Sequence, residues 1–99
     1  MSKPTKIALV TGAAKRLGQA IAIDFAKSGW DVAIHYGTSA LQAQETVAAI
    51  EKLGRRAIAL HADLANEQEV NSLIERCIDS LGLPDCLVNN ASLFDYDSA

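Results

Sequence analysis

The chain has 99 residues, of which 49% are hydrophobic and 21% charged, and a formal net charge of -3. No apolar run approaches the roughly 20 residues of a membrane span, and the composition is that of a globular domain. The acidic balance offers no basic surface to a nucleic-acid backbone, so we expect a small-molecule substrate, no nucleic acid and no membrane. The first residues lack the features of a secretory signal, so a cytoplasmic location is expected.

The two cysteines carry no recognisable redox or metal motif. Cys77 and Cys86 are not spaced as a CxxC pair, and neither has a histidine at metal-ligand spacing. We interpret both as small buried hydrophobic residues, and no metal is predicted.

Apolar strand-like runs alternate with segments of helical periodicity along the chain. Strands are predicted at residues 6–11, 31–36, 56–61 and 86–89. Helices are predicted between them, the first over residues 17–28 and ending at Gly29, where glycine can adopt the left-handed conformation. Helices of about 12 residues between strands require parallel pairing and right-handed crossovers. The predicted fold class is therefore α/β, a Rossmann-type doubly wound parallel sheet with strand order 3-2-1-4.

The second and third helices begin with the same signature. Ser39 is followed three residues later by Gln42, and Asn66 by Glu69. In such a capping box the first side chain accepts hydrogen bonds from the N–H groups of the first helical turn. The third helix also has the clearest apolar stripe, formed by Val70, Leu73, Ile74, Cys77, Ile78 and Leu81.

Polar or glycine-bearing loops follow all four strands. In a doubly wound sheet the ligand crevice lies beyond the carboxyl ends of the strands, where the strand order reverses. The loop from Thr11 to Gly18 leads into a helix N-terminus, whose free N–H groups and dipole favour a diphosphate. Gly12 would permit the tight turn and Gly18 the close approach of the helix, with a generic strand-to-helix turn as the alternative. Residues 35–39, 62–64 and 89–92 converge on the same crevice.

The end of the second strand indicates which dinucleotide is bound. An NAD site usually places a carboxylate for the ribose 2′-hydroxyl about 20 residues beyond the glycine loop. Tyr36 stands there, and no Asp or Glu occurs from residue 32 to residue 41. The cations of Lys15 and Arg16 suit a 2′-phosphate instead, so NADP (NADPH) is the expected cofactor. Further candidate donors for that phosphate are His35, Thr38 and Ser39.

Two of these residues have structural interpretations as well. Ser39 would cap the second helix, alone or while donating to a phosphate. His35 would equally be a satisfied histidine at a strand end. His61 is interpreted as structural.

The loops together resemble those of a known family. Thr11-Gly12 to Gly18, Asp63-Leu64 and Asn89-Asn90-Ala91 are similar to the N-terminal half of the short-chain dehydrogenases/reductases. The resemblance covers the whole chain and departs from the family patterns TGxxxGxG and NNAG at Arg16 and Ser92. The segments TGAAKRLG, HYGTS and NNASLF resemble the pteridine reductase branch of that family.

The resemblance implies roles along the crevice. Asp63 would hydrogen-bond the adenine amino group, Leu64 would line the adenine pocket, and Asn90 and Ala91 would lie along the cofactor ribose. A plain strand-end turn is the alternative for Asn89-Asn90. The cofactor-binding residues expected in full are Gly12, Lys15, Arg16, Leu17, Gly18, His35, Tyr36, Thr38, Ser39, Asp63, Leu64, Asn90, Ala91 and Ser92.

The same resemblance implies an oxidoreductase that reduces a pterin or dihydrofolate-like substrate by hydride transfer from NADPH. Arg16 and Ser92 would contact cofactor phosphate and substrate. Phe94 would stack on the pterin ring, although a lone aromatic residue after a strand is more often packing. Arginine suits such a site because its guanidinium holds a phosphate oxygen and presents a flat face to a heterocycle. A carbonyl reductase acting on 3-oxoacyl or sugar substrates is the alternative enzyme.

The chemistry of this family uses a tyrosine followed four residues later by a lysine. Tyr36 lies in the second strand and Tyr96 is followed by Asp97-Ser98-Ala99, so we expect neither to be the tyrosine of such a pair. We expect residues 1–99 to be the NADP-binding N-terminal half of a Rossmann domain, with no catalytic residue, and the complete enzyme to be a homotetramer. A non-catalytic NADP-binding fragment is the alternative from another class.

Overall fold

A computed structural model describes residues 5–12 and 16–90 of the chain. Each predicted strand and helix is present within these residues, and the predicted bounds differ from the structure by at most one position. The elements are β1 (Ile7–Val10), α1 (Arg16–Lys27), β2 (Asp31–Tyr36), α2 (Ala40–Lys52), β3 (Ala57–His61), α3 (Glu67–Ser80) and β4 (Cys86–Val88).

The strands form one parallel sheet in the order β3-β2-β1-β4, which confirms the predicted fold class. Ala8 of β1 stands opposite Val32 of β2 and Cys86 of β4, so β1 lies at the centre of the reversal in strand order. Because all pairs are parallel, the four carboxyl ends lie at the same edge of the sheet. That edge is where a doubly wound fold places its ligand.

Helices cover both faces of the sheet. On one face, α1 and α2 pack over a core that includes Val10 and Ile34, both fully buried. On the other face, Leu73 and Cys77 of α3 pack against a cluster that includes Leu9. All four residues of β1 are buried, as a central parallel strand between two helical layers requires.

The C-terminus of α1 lies where the predicted glycine signal places it. Gly29 adopts φ of 93°, and its N–H donates to the carbonyl of Ala26 at 3.0 Å. This left-handed residue ends the helix and turns the chain into β2.

The burial of α3 differs from the predicted stripe. Leu73 and Cys77 are buried, but Ile74 and Ile78 are 42% and 43% exposed. The row that contains Leu73 and Cys77 meets the sheet, and the row that contains Ile74 and Ile78 lies beside it. Cys86 is also only partly buried, contrary to the prediction, because its strand is paired to β1 alone among the described residues.

Candidate functional site

Hydrogen bonds join the carboxyl ends of β1 and β4. The N–H of Thr11 donates to the carbonyl of Val88 at 2.9 Å. The Thr11 hydroxyl lies 3.3 Å from Oδ1 of Asn89. Sequence reasoning did not single out Thr11 as a site residue, although a hydroxyl directly before the first glycine of the loop was a usable signal. The loop after β4 therefore starts from a position held by β1.

A second set of bonds joins β1, β2 and β3 through His35. The imidazole is only 2% exposed. Its Nδ1 accepts from the N–H of Gly12 at 3.0 Å, and its Nε2 lies 2.9 Å from the carbonyl oxygen of Ala62. The side chain thus has the structural role that the sequence left open, and direct cofactor contact by His35 stays a prediction.

The two described ends of the loop after β1 have features that favour an anion site. Gly12 adopts φ of 67°, the left-handed conformation expected of a tight turn. Gly18 is buried in α1, whereas Arg16 and Leu17 in its first turn are exposed. The first turn of α1 contains no acidic residue, so its positive dipole end is not neutralised by a carboxylate there. Lys15 lies outside the described residues.

The segment after β2 presents hydroxyl groups beside an aromatic pair. Tyr36 is half-buried, and its ring centroid lies 5.4 Å from that of His61. Thr38 is exposed and Ser39 is half-buried. Ser39 occupies the N-cap position of α2 but makes no side-chain cap hydrogen bond, so the predicted capping box is wrong there. Its ψ of 62° lies outside the extended region typical of N-cap residues.

The loop after β3 is braced by α3. The N–H of Asp63 donates to Oε1 of Glu69 at 2.9 Å, and Oδ1 of Asp63 accepts from the N–H of Ala65 at 2.9 Å. Leu64 packs against the core cluster under α3. The side chain of Asp63 is exposed at the crevice edge of the sheet.

At α3, one half of the predicted capping box is confirmed, namely the side-chain cap by Asn66. Oδ1 of Asn66 accepts from the N–H groups of Gln68 and Glu69 at 3.0 and 3.3 Å. The Glu69 carboxylate does not complete a reciprocal box with Asn66, because it accepts from Asp63 instead. The brace between Glu69 and Asp63 was not predicted from the sequence.

The end of β4 contributes a buried amide. Asn90 is 4% exposed, and its Nδ2 has no hydrogen-bond partner within the part of the chain that the structure describes. A buried donor without a partner is costly unless another group completes it. Three other predicted site residues, Ala91, Ser92 and Phe94, lie outside the described residues.

The other chemistry-bearing groups that the structure describes were compared with the requirements of a metal site and of a reactive thiol. Within residues 5–12 and 16–90, no group of three or more His, Cys, Asp or Glu side chains is placed to hold a metal ion. Burial raises the pKa of the Cys77 thiol, which disfavours the reactive thiolate. None of the described helices is long and apolar enough to cross a membrane.

The chain is similar to known proteins along nearly its whole length. The family model for short chain dehydrogenase matches residues 6–98. The short-chain dehydrogenase/reductase homolog YusS of Bacillus subtilis is 41% identical over 94% of this chain and 85% of its own length. The 3-oxoacyl-acyl-carrier-protein reductase FabG of Staphylococcus aureus is 38% identical over 92% of this chain and 37% of its own length.

A solved structure shows the same fold with a ligand. The crystal structure of FolM alternative dihydrofolate reductase 1 from Brucella canis, complexed with NADP, is 36% identical, with a TM-score of 0.80. The match covers 86% of this chain and 36% of that chain. This chain spans between 32% and 37% of the length of several curated relatives. The homotetramer and the cytoplasmic location remain predictions. The chain belongs to the short chain dehydrogenase family.

Proposed function

We propose that this chain is the NADP-binding part of a reductase. The observation that carries the proposal is the edge where all four parallel strands end. There the turn at Gly12 leads into the exposed first turn of α1, and β2 ends without a carboxylate. The NADP complex of the FolM relative supports the assignment, because 86% of this chain is covered by that match.

The preference for NADP over NAD rests on charge. A carboxylate near the end of β2 would accept from a ribose 2′-hydroxyl and repel a 2′-phosphate. Neither the first turn of α1 nor that of α2 contains an acidic residue, and Arg16 is exposed at the start of α1. A guanidinium binds phosphate through charge-assisted hydrogen bonds. We assign Lys15, Arg16, Thr38 and Ser39 to the 2′-phosphate.

The other assignments fit the rest of the cofactor. The buried Nδ2 of Asn90 is a donor that a ligand hydroxyl or carbonyl would satisfy. Asn90 and Ala91 are assigned to the ribose, and Asp63 and Leu64 to the adenine. When bound, NADPH supplies the hydride. The further contacts proposed for the dinucleotide come from Gly12, Leu17, Gly18, Tyr36 and Ser92.

Titration with two dinucleotides tests the proposed cofactor. Removing the guanidinium in Arg16→Ala is expected to weaken NADPH binding by about tenfold to a hundredfold and to change NADH binding by less than about threefold. Cofactor fluorescence or calorimetry measures both affinities. Lys27→Ala is the matched control, because Lys27 is an exposed cation in the last turn of the same helix. Equal losses for NADPH and NADH in Arg16→Ala would contradict a role for Arg16 at the 2′-phosphate.

For the substrate, we propose a pterin or dihydrofolate-like molecule. The FolM relative, a dihydrofolate reductase by its printed name, supports this class. Arg16 would offer its flat guanidinium to the heterocycle, with Ser92 as a polar contact and Phe94 as the stacking platform.

The FabG relative favours a second candidate, a reductase of 3-oxoacyl substrates. NADPH-linked turnover of dihydrofolate, biopterin and a 3-oxoacyl thioester by the whole protein separates the two. Phe94→Ala is expected to lower kcat/KM for the pterins by about tenfold and to leave the thioester within about twofold. Preference for the thioester would favour the second candidate. Binding of NADPH without turnover of any of these substrates would favour a non-catalytic role.

A further inference from the structure

The His35 ring is the hydrogen-bonded connection between two loops that the proposed function assigns to different parts of the cofactor. Gly12 begins the loop assigned to the diphosphate, and Ala62 directly precedes Asp63 in the loop assigned to the adenine. His35 contacts both at 3.0 and 2.9 Å. The ring is almost completely buried, which limits the access of water to it.

The two bonds determine the protonation of the ring. Gly12 N–H is a donor only, so Nδ1 must carry a lone pair. The Ala62 carbonyl is an acceptor only, so Nε2 must carry the proton. His35 is therefore the neutral tautomer protonated at Nε2, and a charged ring would place a proton against the N–H of Gly12.

The bond to Nδ1 also restricts what the glycine loop offers an anion. The Gly12 N–H is directed at the imidazole, so it is not a donor for the diphosphate. Among the described residues, that leaves the N–H groups in the first turn of α1 as donors. Gly12 has φ of 67°, and its bond to His35 holds the turn in which the chain leaves β1.

We propose that His35 is a positioning residue that holds the diphosphate loop and the adenine loop in fixed relation, without selecting between NADPH and NADH. The proposal rests on the proposed dinucleotide-binding function. It predicts that loss of the Gly12 bond weakens both dinucleotides by the same factor, since both contain the diphosphate and the adenine. A direct contact between His35 and the 2′-phosphate predicts a loss for NADPH alone.

Two polar substitutions separate the two bonds. In His35→Asn, the amide oxygen takes the place of Nδ1 and still accepts from Gly12. In His35→Gln, the amide nitrogen takes the place of Nε2 and donates to Ala62, which leaves Gly12 without its acceptor. Gln44→Asn is the control, because Gln44 has an exposed side chain in α2.

The test is titration of each folded variant with NADPH and with NADH. We expect His35→Asn and Gln44→Asn to bind within about threefold of the wild-type protein, and His35→Gln to bind both dinucleotides about tenfold more weakly. Equal affinities in the Asn and Gln variants, or a loss in His35→Gln confined to NADPH, would overturn the positioning role. By contrast, an unchanged preference of Arg16→Ala for NADPH over NADH would contradict the proposed role of Arg16 at the 2′-phosphate and would not test the role of His35.

The ring itself gives a second readout that needs no ligand. ¹⁵N spectra of the wild-type protein are expected to show His35 protonated at Nε2 and unprotonated at Nδ1. A ring protonated at Nδ1 would overturn the inference even if His35→Gln did not fold. A wild-type chain that bound neither dinucleotide would contradict the proposed function. It would also contradict the positioning role, because that role rests on dinucleotide binding.

Discussion

The N-termini of α2 and α3 carry the same sequence signature and have different structures. Asn66 caps α3 with two hydrogen bonds, whereas Ser39 makes no side-chain cap at α2. The first turn of α3 also holds Glu67 and Glu69, and the first turn of α2 holds no acidic residue. The positive end of α3 is thus satisfied within the chain. That of α2 has neither a side-chain cap nor a first-turn carboxylate, at the point where β2 ends and a 2′-phosphate is proposed.

The largest expected effect comes from placing a carboxylate at the N-terminus of α2, since α3 already has carboxylates in its first turn. Ser39→Asp places a carboxylate at the N-cap, where it stabilises the helix and repels a phosphate. NADPH affinity should fall by more than about tenfold, and NADH affinity should change by less than about threefold. The free energy of unfolding should rise by about 0.5 kcal/mol, because the carboxylate interacts favourably with the positive end of the α2 dipole. Dinucleotide titration and urea unfolding measure the two quantities.

Asn66→Asp provides the control for that substitution. It adds the same charge at the N-cap of α3, where the side chain already accepts from the helix. NADPH and NADH affinities should both remain within about twofold of the wild-type values. If Asn66→Asp discriminated against NADPH as strongly as Ser39→Asp, the effect would reflect net charge rather than a site at α2.

Replacing each N-cap residue by alanine in turn tests how much its side chain contributes to the free energy of unfolding. Asn66→Ala deletes two observed hydrogen bonds and should lower the free energy of unfolding by about 1 kcal/mol. Ser39→Ala deletes no cap bond and should change it by less than about 0.3 kcal/mol. Urea unfolding followed by circular dichroism gives both values. Equal losses in the two variants would show that Ser39 does cap α2 in solution.

The contrast between the helices shows what sequence reasoning reaches in this fold. The strand order and the common edge of the four loops followed from the alternation of apolar runs such as Ile7–Val10 with amphipathic segments. Periodicity gives the direction of an apolar face but not the width of the surface that it meets. For that reason Ile74 and Ile78 were expected in the core and are exposed.

The bonds within the site were less accessible to sequence reasoning. A capping signature specifies residue types, while the cap itself depends on backbone angles: Asn66 has ψ of 110° and Ser39 has ψ of 62°. The alternatives for His35 were named from the sequence, but its partners depend on which loops the sheet brings beside it. The Glu69 brace on Asp63 spans six residues across a turn, so no helical spacing rule predicts it.

The smallest expected effect separates the two roles of Glu69 at the α3 N-terminus. Glu69→Gln keeps an oxygen that accepts from Asp63 but removes the charge that interacts with the helix dipole, so unfolding should become easier by about 0.3 kcal/mol. Glu69→Ala removes both and should cost about 1 kcal/mol. High salt screens the dipole interaction, so in 1 M NaCl, where the Debye length is about 3 Å, Glu69→Gln should match the wild-type protein while Glu69→Ala remains less stable. If the two variants behaved alike at every salt concentration, the bond to Asp63 would contribute nothing, and the adenine loop would not be braced by α3.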